Sequence, residues 1–217
     1  MSSPSDNRWL LLWLGLFALA FGYMEAAVVV YLREPLYPDG FHFPLVPLPP
    51  RLLWTEVFRE VTTLLLLLSV AMLSVRRPHR RLGAFAYCFG LWDLTYYLAL
   101  KLLIDWPASL LDWDILFLIP LPWSGPVLAP VLVSVGIIMG GVYLLGLPPD
   151  APSPFRRSDW LVEIAAGLVI IASFMWNLPA LAAGEAPVSY PWWLFALGLG
   201  GGAGWFVWRV RDAGGAR

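Results

Sequence analysis

Six apolar runs, at 9–31, 52–75, 82–104, 126–147, 160–181 and 191–208, take up most of the 217 residues. Each is close to the roughly 20 apolar residues that an α-helix needs to cross a bilayer. The runs are continuous rather than alternating, which favours helices over a barrel. Breakers separate them. "REPLYPDGFHFPLVPLPPR" is rich in proline and cannot carry a helix forward. "RRPHRR" is a short basic turn, and "LPPDAPSPFRRSD" and "GEAPVSYP" supply the later breaks. Charged residues make up only 13% of the chain, against about 25% in soluble domains. The expected fold is therefore all-α, a polytopic helix bundle forming one integral membrane domain over 1–217, with no soluble domain attached.

Lysine and arginine set the expected orientation. With six spans both termini share a side. Arg8, Arg76, Arg77, Arg80, Arg81, Arg156, Arg157, Arg209, Arg211 and Arg217 fall there, leaving Arg33, Arg51, Arg59 and Lys101 for the opposite half. Both termini are expected in the cytoplasm of a bacterial-type cell, and the protein in its inner membrane. His79, inside the basic turn, is read as part of the same positive signal. The first run also admits a signal peptide cleaved after "ALA" at 18–20. The balance of Arg8 by Asp6 and the return of apolar sequence beyond residue 20 argue for a span.

"DWPASLLDWDILFLIPLPW" is too short to span. Its tryptophans suit a membrane interface. A short interfacial or re-entrant helix is expected near 108–118, on the extracytoplasmic side. Pro126 suits the start of the fourth span, and Pro130 is expected to kink it. In the sixth run, Gly198 and Gly202 are spaced to let another helix approach closely, as are Gly200 and Gly204. That helix at 191–208 is expected to pack within the monomer, with a homodimer seam or a larger membrane complex as alternatives.

The informative residues are the ionisable ones inside the runs. A charge at a helix centre costs about 2.5–3.5 kcal/mol on insertion scales. Glu25, Glu56, Arg59, Glu60, Asp93 and Lys101 nevertheless lie within predicted spans. Span direction puts all six in one extracytoplasmic half. Facing agrees with depth. At about 100° per residue, Arg59, Glu60 and Thr63 fall within about 60° of Glu56. Tyr96, Tyr97 and Lys101 lie within about 80° of Asp93 on the third span. Gly22 and Ala18 share the face of Glu25 and would admit a close neighbour.

Two readings follow. One is a closed ion-pair network, with Arg59 bridging Glu56 and Glu60, and Lys101 on Asp93. The other is a pocket for a small polar or ionic ligand or a lipid headgroup, serving transport or outer-leaflet chemistry. Its ligand-binding residues would be Glu25, Glu56, Arg59, Glu60, Asp93, Tyr96, Tyr97 and Lys101. Arg33, His42, Arg51, Asp112 and Asp114 would form the rim. Trp92 is a further lining candidate, and His42 a lid residue or proton relay as against a solvated loop histidine. Glu25, Glu56, Glu60 and Asp93 are the candidate ligands for a divalent cation. Asp159 and Glu163 are read as structural, at a helix N-terminus that favours negative charge. Asn177 is read as an interhelical hydrogen bonder.

Several chemistries drop out. Cys88 is the single cysteine, which leaves no internal disulfide, Cys-based zinc site or iron–sulfur cluster. A bis-His haem would need both His42 and His79, which fall in different loops. No basic domain suggests nucleic acid. The P-loop, the nucleophile elbow and the H-E-x-x-H motif are all missing. The expected partner is the lipid bilayer, and whether the chain is an enzyme is left open.

Overall fold

The computed structural model describes residues 4–215, so Arg217 lies outside the described residues. Seven helices and one hairpin follow in order: α1 (Pro4–Leu36), α2 (Pro50–Ser74), α3 (Pro78–Ile104), β1 (Trp113–Phe117), β2 (Trp123–Pro126), α4 (Leu128–Gly146), α5 (Arg157–Phe174), α6 (Leu178–Ala182) and α7 (Trp192–Gly215). Three of them, α1, α2 and α4, are long and apolar enough to cross a membrane.

The α2 helix shows how these elements are built. It starts on Pro50, whose fixed φ suits a first turn. Its buried residues are Glu56, Glu60, Thr63, Leu67 and Ala71, a single stripe at helical spacing. Its exposed side carries Trp54, Phe58, Leu65, Leu68, Met72 and Leu73. Charge faces inward and large apolar side chains face outward, the reverse of a helix in water.

Small residues set the packing. A Cβ on Gly22 of α1 would lie 2.5 Å from the Trp92 carbonyl oxygen of α3. Ala18 and Ala26, on the same side of α1, are fully buried. Between α3 and α4, Gly83 lies against Leu144, Gly141 against the Gly83 carbonyl, and Gly90 against the Ser134 carbonyl. Gly198 and Gly202 of α7 pack on Ala166 of α5, which is close approach within the monomer. Gly200 and Gly204 meet nothing within 4 Å.

Three sequence expectations need correction. The segment near 108–118 is not a helix, so the fold is mostly helical rather than all-α. Trp113–Phe117 pairs antiparallel with Trp123–Pro126, with Asp114 opposite Gly125 and Ile115 opposite Ser124. Prolines at 107, 120 and 122 deny the segment helical continuity, while its aromatic and β-branched residues fit a pleated pair. The fifth run is interrupted: α5 ends at Phe174, and α6 begins only at Leu178. Pro130 falls in the first turn of α4, where a missing N–H costs nothing, so it is no mid-helix kink. His79 and Arg80 are buried at the start of α3, and Arg80 donates to Asn7 Oδ1 at 2.8 Å.

The hairpin sits between two halves. Trp113, Leu116 and Trp123 pack with Phe174, Tyr190 and Phe195 of the α5–α7 half. Phe117 stacks with Phe89 of α3 at 6.4 Å between ring centroids. Asn177 reaches a loop rather than a helix, donating to the Ser189 carbonyl at 3.0 Å. Asp159 accepts the Arg156 N–H at 2.7 Å and Arg209 Nε at 3.0 Å, which joins the start of α5 to the end of α7.

Candidate functional site

A cavity of about 160 Å³ opens among α1, α2, α3, the proline-rich loop and β1. Nine of the thirteen side chains proposed from sequence line it: Glu25, Arg33, Glu56, Arg59, Glu60, Asp93, Tyr96, Tyr97 and Asp114. Helical period explains the convergence. Glu56, Arg59, Glu60 and Thr63 share one stripe of α2, and that stripe is the face turned inward.

The pairing inside the cavity differs from the expected network. Arg59 bonds Glu25 of α1 and also Glu56, the latter from Nε at 2.8 Å. It does not bridge to Glu60. Thr63 donates to the second oxygen of Glu25 at 3.3 Å. Glu60 instead accepts the Leu118 N–H on both oxygens, at 3.0 and 2.9 Å, which fixes the end of β1 to α2. Asp93 takes a hydrogen bond from the Ser134 hydroxyl of α4 at 2.7 Å. Among the described residues neither Glu60 nor Asp93 has an ion-pair partner.

Arg33 and Asp114 form a second ion pair at 2.6 Å, with Asp114 fully buried. Sequence reasoning put both at the rim, and the structure makes them part of the wall. The Arg33 guanidinium carbon lies 4.1 Å from the ring centroids of both Phe41 and Trp106, which meet edge to face. A guanidinium against aromatic rings is a favourable contact. Burial pushes the Asp114 carboxyl above its usual range, and the Arg33 charge opposes that shift. Arg33 Nη1, Asp114 Oδ2 and Trp92 Nε1 are buried with no hydrogen-bond partner.

The chain matches no protein-family model, no curated protein and no solved structure. Its site must therefore be read from its own chemistry.

Four proposed residues lie elsewhere. Lys101 is exposed and pairs with Asp105 at 2.6 Å, not with Asp93. That neighbour holds the Asp105 carboxyl below its usual range. Arg51 is exposed at the start of α2. Asp112 accepts the N–H groups of Ala108 and Ser109 at 2.8 and 3.1 Å and shapes the turn before β1. His42 is exposed, edge-on to Tyr37, and does not line the cavity. Of the four carboxylates named as metal ligands, Glu25 and Glu56 are both taken by Arg59. Among the described residues no group of three or more His, Cys, Asp or Glu side chains is arranged to hold a metal ion.

Sequence reasoning expected the proline-rich loop to cover the site but named none of its aromatic and aliphatic wall residues. Tyr37, Phe41, Leu45, Val46 and Leu48 of the proline-rich loop line the cavity, and the Tyr37 hydroxyl accepts the Val46 N–H at 2.9 Å. The signal was the density of aromatic residues in "YPDGFHF". Ser134, the partner of Asp93, gave no such signal, because its role depends on which helix packs against α3.

Proposed function

We propose that this chain is a multi-pass protein of the bacterial-type inner membrane. In this reading it is one domain with six spans and both termini cytoplasmic. The cavity among α1–α3 lies in the extracytoplasmic half and binds a small polar or ionic ligand or a lipid headgroup, for transport or chemistry at that leaflet. The observation that carries the binding reading is the convergence of nine proposed side chains on one cavity. Three helices already have the length and apolarity to cross a membrane. Apolar exposure on the others supports the remaining spans: Leu98 and Leu102 on α3, Leu161 and Leu168 on α5, Trp193 and Leu197 on α7. The ends also agree with alternating spans. Arg80 contacts Asn7, and Arg77 lies 3.7 Å from Asp150, so three basic segments share the end remote from the cavity.

Native mass spectrometry of the full chain, purified from its own membrane in mild detergent, tests the binding reading. A bound small molecule is expected, reduced in Asp93→Asn and Glu60→Gln. No bound molecule, together with full complementation of a deletion strain by both folded variants, defeats it.

A second reading has one specific support. Arg59 is closed onto Glu25 and Glu56, and Arg33 onto Asp114, as a structural network requires. The chain would then be a non-catalytic subunit of a larger membrane complex. Purification as a defined heteromeric complex favours this reading, and a stable monomer or homodimer favours the first.

A further inference from the structure

The charge of the occupant can be argued from the wall, an inference that rests on the binding reading above. Five carboxylates line the cavity, from Glu25, Glu56, Glu60, Asp93 and Asp114, against the two guanidiniums of Arg33 and Arg59. The wall is thus short of positive charge when every group is ionised. Both guanidiniums are already committed. Arg59 spans two carboxylates. Arg33 holds Asp114 and packs against the rings of Phe41 and Trp106. Among the described residues of the wall both cations are thus already paired with carboxylates, and Arg33 Nη1 keeps unused donor capacity.

The carboxylates are the groups left wanting. Asp93 has only the neutral Ser134 hydroxyl on Oδ2. Asp114 is fully buried, and its Oδ2 has no partner at all. A buried polar group without a partner is costly, and a charged one more so. Trp92, Tyr96 and Tyr97 add aromatic surface to the same wall, where a cation is attracted to ring faces. A metal ion is a poor fit, because among the described residues no three His, Cys, Asp or Glu side chains are arranged to hold one. Most of the remaining wall, including Val29, Leu32 and Phe117, is apolar.

We propose that the cavity takes an organic ammonium, its charged nitrogen against Asp93 and Asp114 and its apolar part against the aliphatic and aromatic wall. Arg33 Nη1 and Trp92 Nε1 are also without partners, so a ligand with an acceptor beside the ammonium would satisfy them as well. The size is that of a small molecule. The cavity measures about 160 Å³, and apolar cavities near 150 Å³ hold a benzene-sized guest.

Benzylammonium, benzyl alcohol and benzoate share a shape and differ in charge. Their binding to the full chain in a neutral maltoside detergent is measured by saturation-transfer NMR titration. Benzylammonium is expected to bind at least tenfold more tightly than the other two. Asp93→Asn, which keeps an acceptor for Ser134, is expected to weaken it at least tenfold, and Lys101→Ala to leave it unchanged. Asp114→Asn, which keeps an acceptor for Arg33, is expected to weaken it likewise and gives a second reading should Asp93→Asn not fold. Equal binding of all three probes, or tightest binding of benzoate, overturns the ammonium assignment while leaving a ligand cavity in place. Tight binding of benzylammonium that survives both carboxylate variants also overturns it. Binding by none of the three removes the assignment, and the mass-spectrometric test above then decides separately whether the cavity binds anything.

Discussion

Glu60 receives the Leu118 N–H on both of its carboxylate oxygens, so a side chain of α2 anchors the backbone at the end of β1. The residue has a positional role that its charge alone does not reveal. Glu60→Ala leaves that N–H without an acceptor at a partly buried site, a loss of about 1–3 kcal/mol. Glu60→Gln retains an amide oxygen and is expected to lose less. Thermal unfolding of the purified variants in one detergent checks the order, and an alanine variant as stable as the parent sinks the anchoring argument.

Arg59 has the opposite character, because two carboxylates depend on it. Its side chain is 22% exposed, while Glu25 and Glu56 are almost covered. Arg59→Met strands both carboxylates, a change of the kind that costs about 3–5 kcal/mol when a buried pair is broken. Partial access to solvent puts the expected loss at the low end. The double variant Arg59→Met with Glu25→Gln should recover part of that loss, since one stranded charge is gone. Additive losses in the double-variant cycle would show that the two residues are not coupled.

Gly22 and Gly200 should separate packing from propensity. A Cβ on Gly22 meets the Trp92 carbonyl at 2.5 Å and Thr95 Cβ at 2.8 Å. Backbone on that side cannot step aside cheaply, so Gly22→Ala is expected to destabilise by about 1–3 kcal/mol. Gly200 meets nothing within 4 Å. Gly200→Ala is expected to be neutral or to stabilise α7 by up to about 1 kcal/mol. The melting temperature should fall for Gly22→Ala and hold or rise for Gly200→Ala.

These cases show what the sequence made legible. Facing within one helix follows from the fixed rotation per residue, so Glu56, Glu60 and Thr63 were found together from spacing alone. Partners across helices do not follow, because spacing says nothing about how one helix is rotated against the next. Arg59 thus turned to Glu25 rather than Glu60, and Asp93 to Ser134 rather than Lys101. Lys101, about 80° round α3 from Asp93, swings outward to Asp105. The hairpin was hidden by its brevity. A five-residue strand among tryptophans and prolines carries too little alternation to be told from an interfacial helix, and with it went the burial of Asp114.

Lys101 gives a direct check on that outcome. Its ammonium is exposed and its partner is an exposed carboxylate. Pairs of this kind contribute little, because water screens them. Lys101→Ala is expected to leave both the melting temperature and ligand retention unchanged. A marked loss of either would place Lys101 back in the working site.

The membrane arrangement is open to a chemical test. Cys88 is the single cysteine and is fully buried, its Sγ 3.7 Å from the Leu14 carbonyl oxygen. Cys88→Ala therefore gives a background without thiols. Single cysteines are then placed at Asp39, in the proline-rich loop, at Ser109, before β1, at Ala186, before α7, and at Asp150, between α4 and α5. Six spans with cytoplasmic termini put the first three outside and Asp150 inside. A membrane-impermeant maleimide applied to intact cells should label Asp39→Cys, Ser109→Cys and Ala186→Cys. Asp150→Cys should label only after the cells are opened. If α3 did not cross, Asp39→Cys and Ser109→Cys would differ from one another. If α5 and α7 did not cross, Ala186→Cys would behave as Asp150→Cys does. With only α1, α2 and α4 crossing, Ser109→Cys would be shielded and Asp150→Cys labelled, so one set of four variants separates six crossings from three.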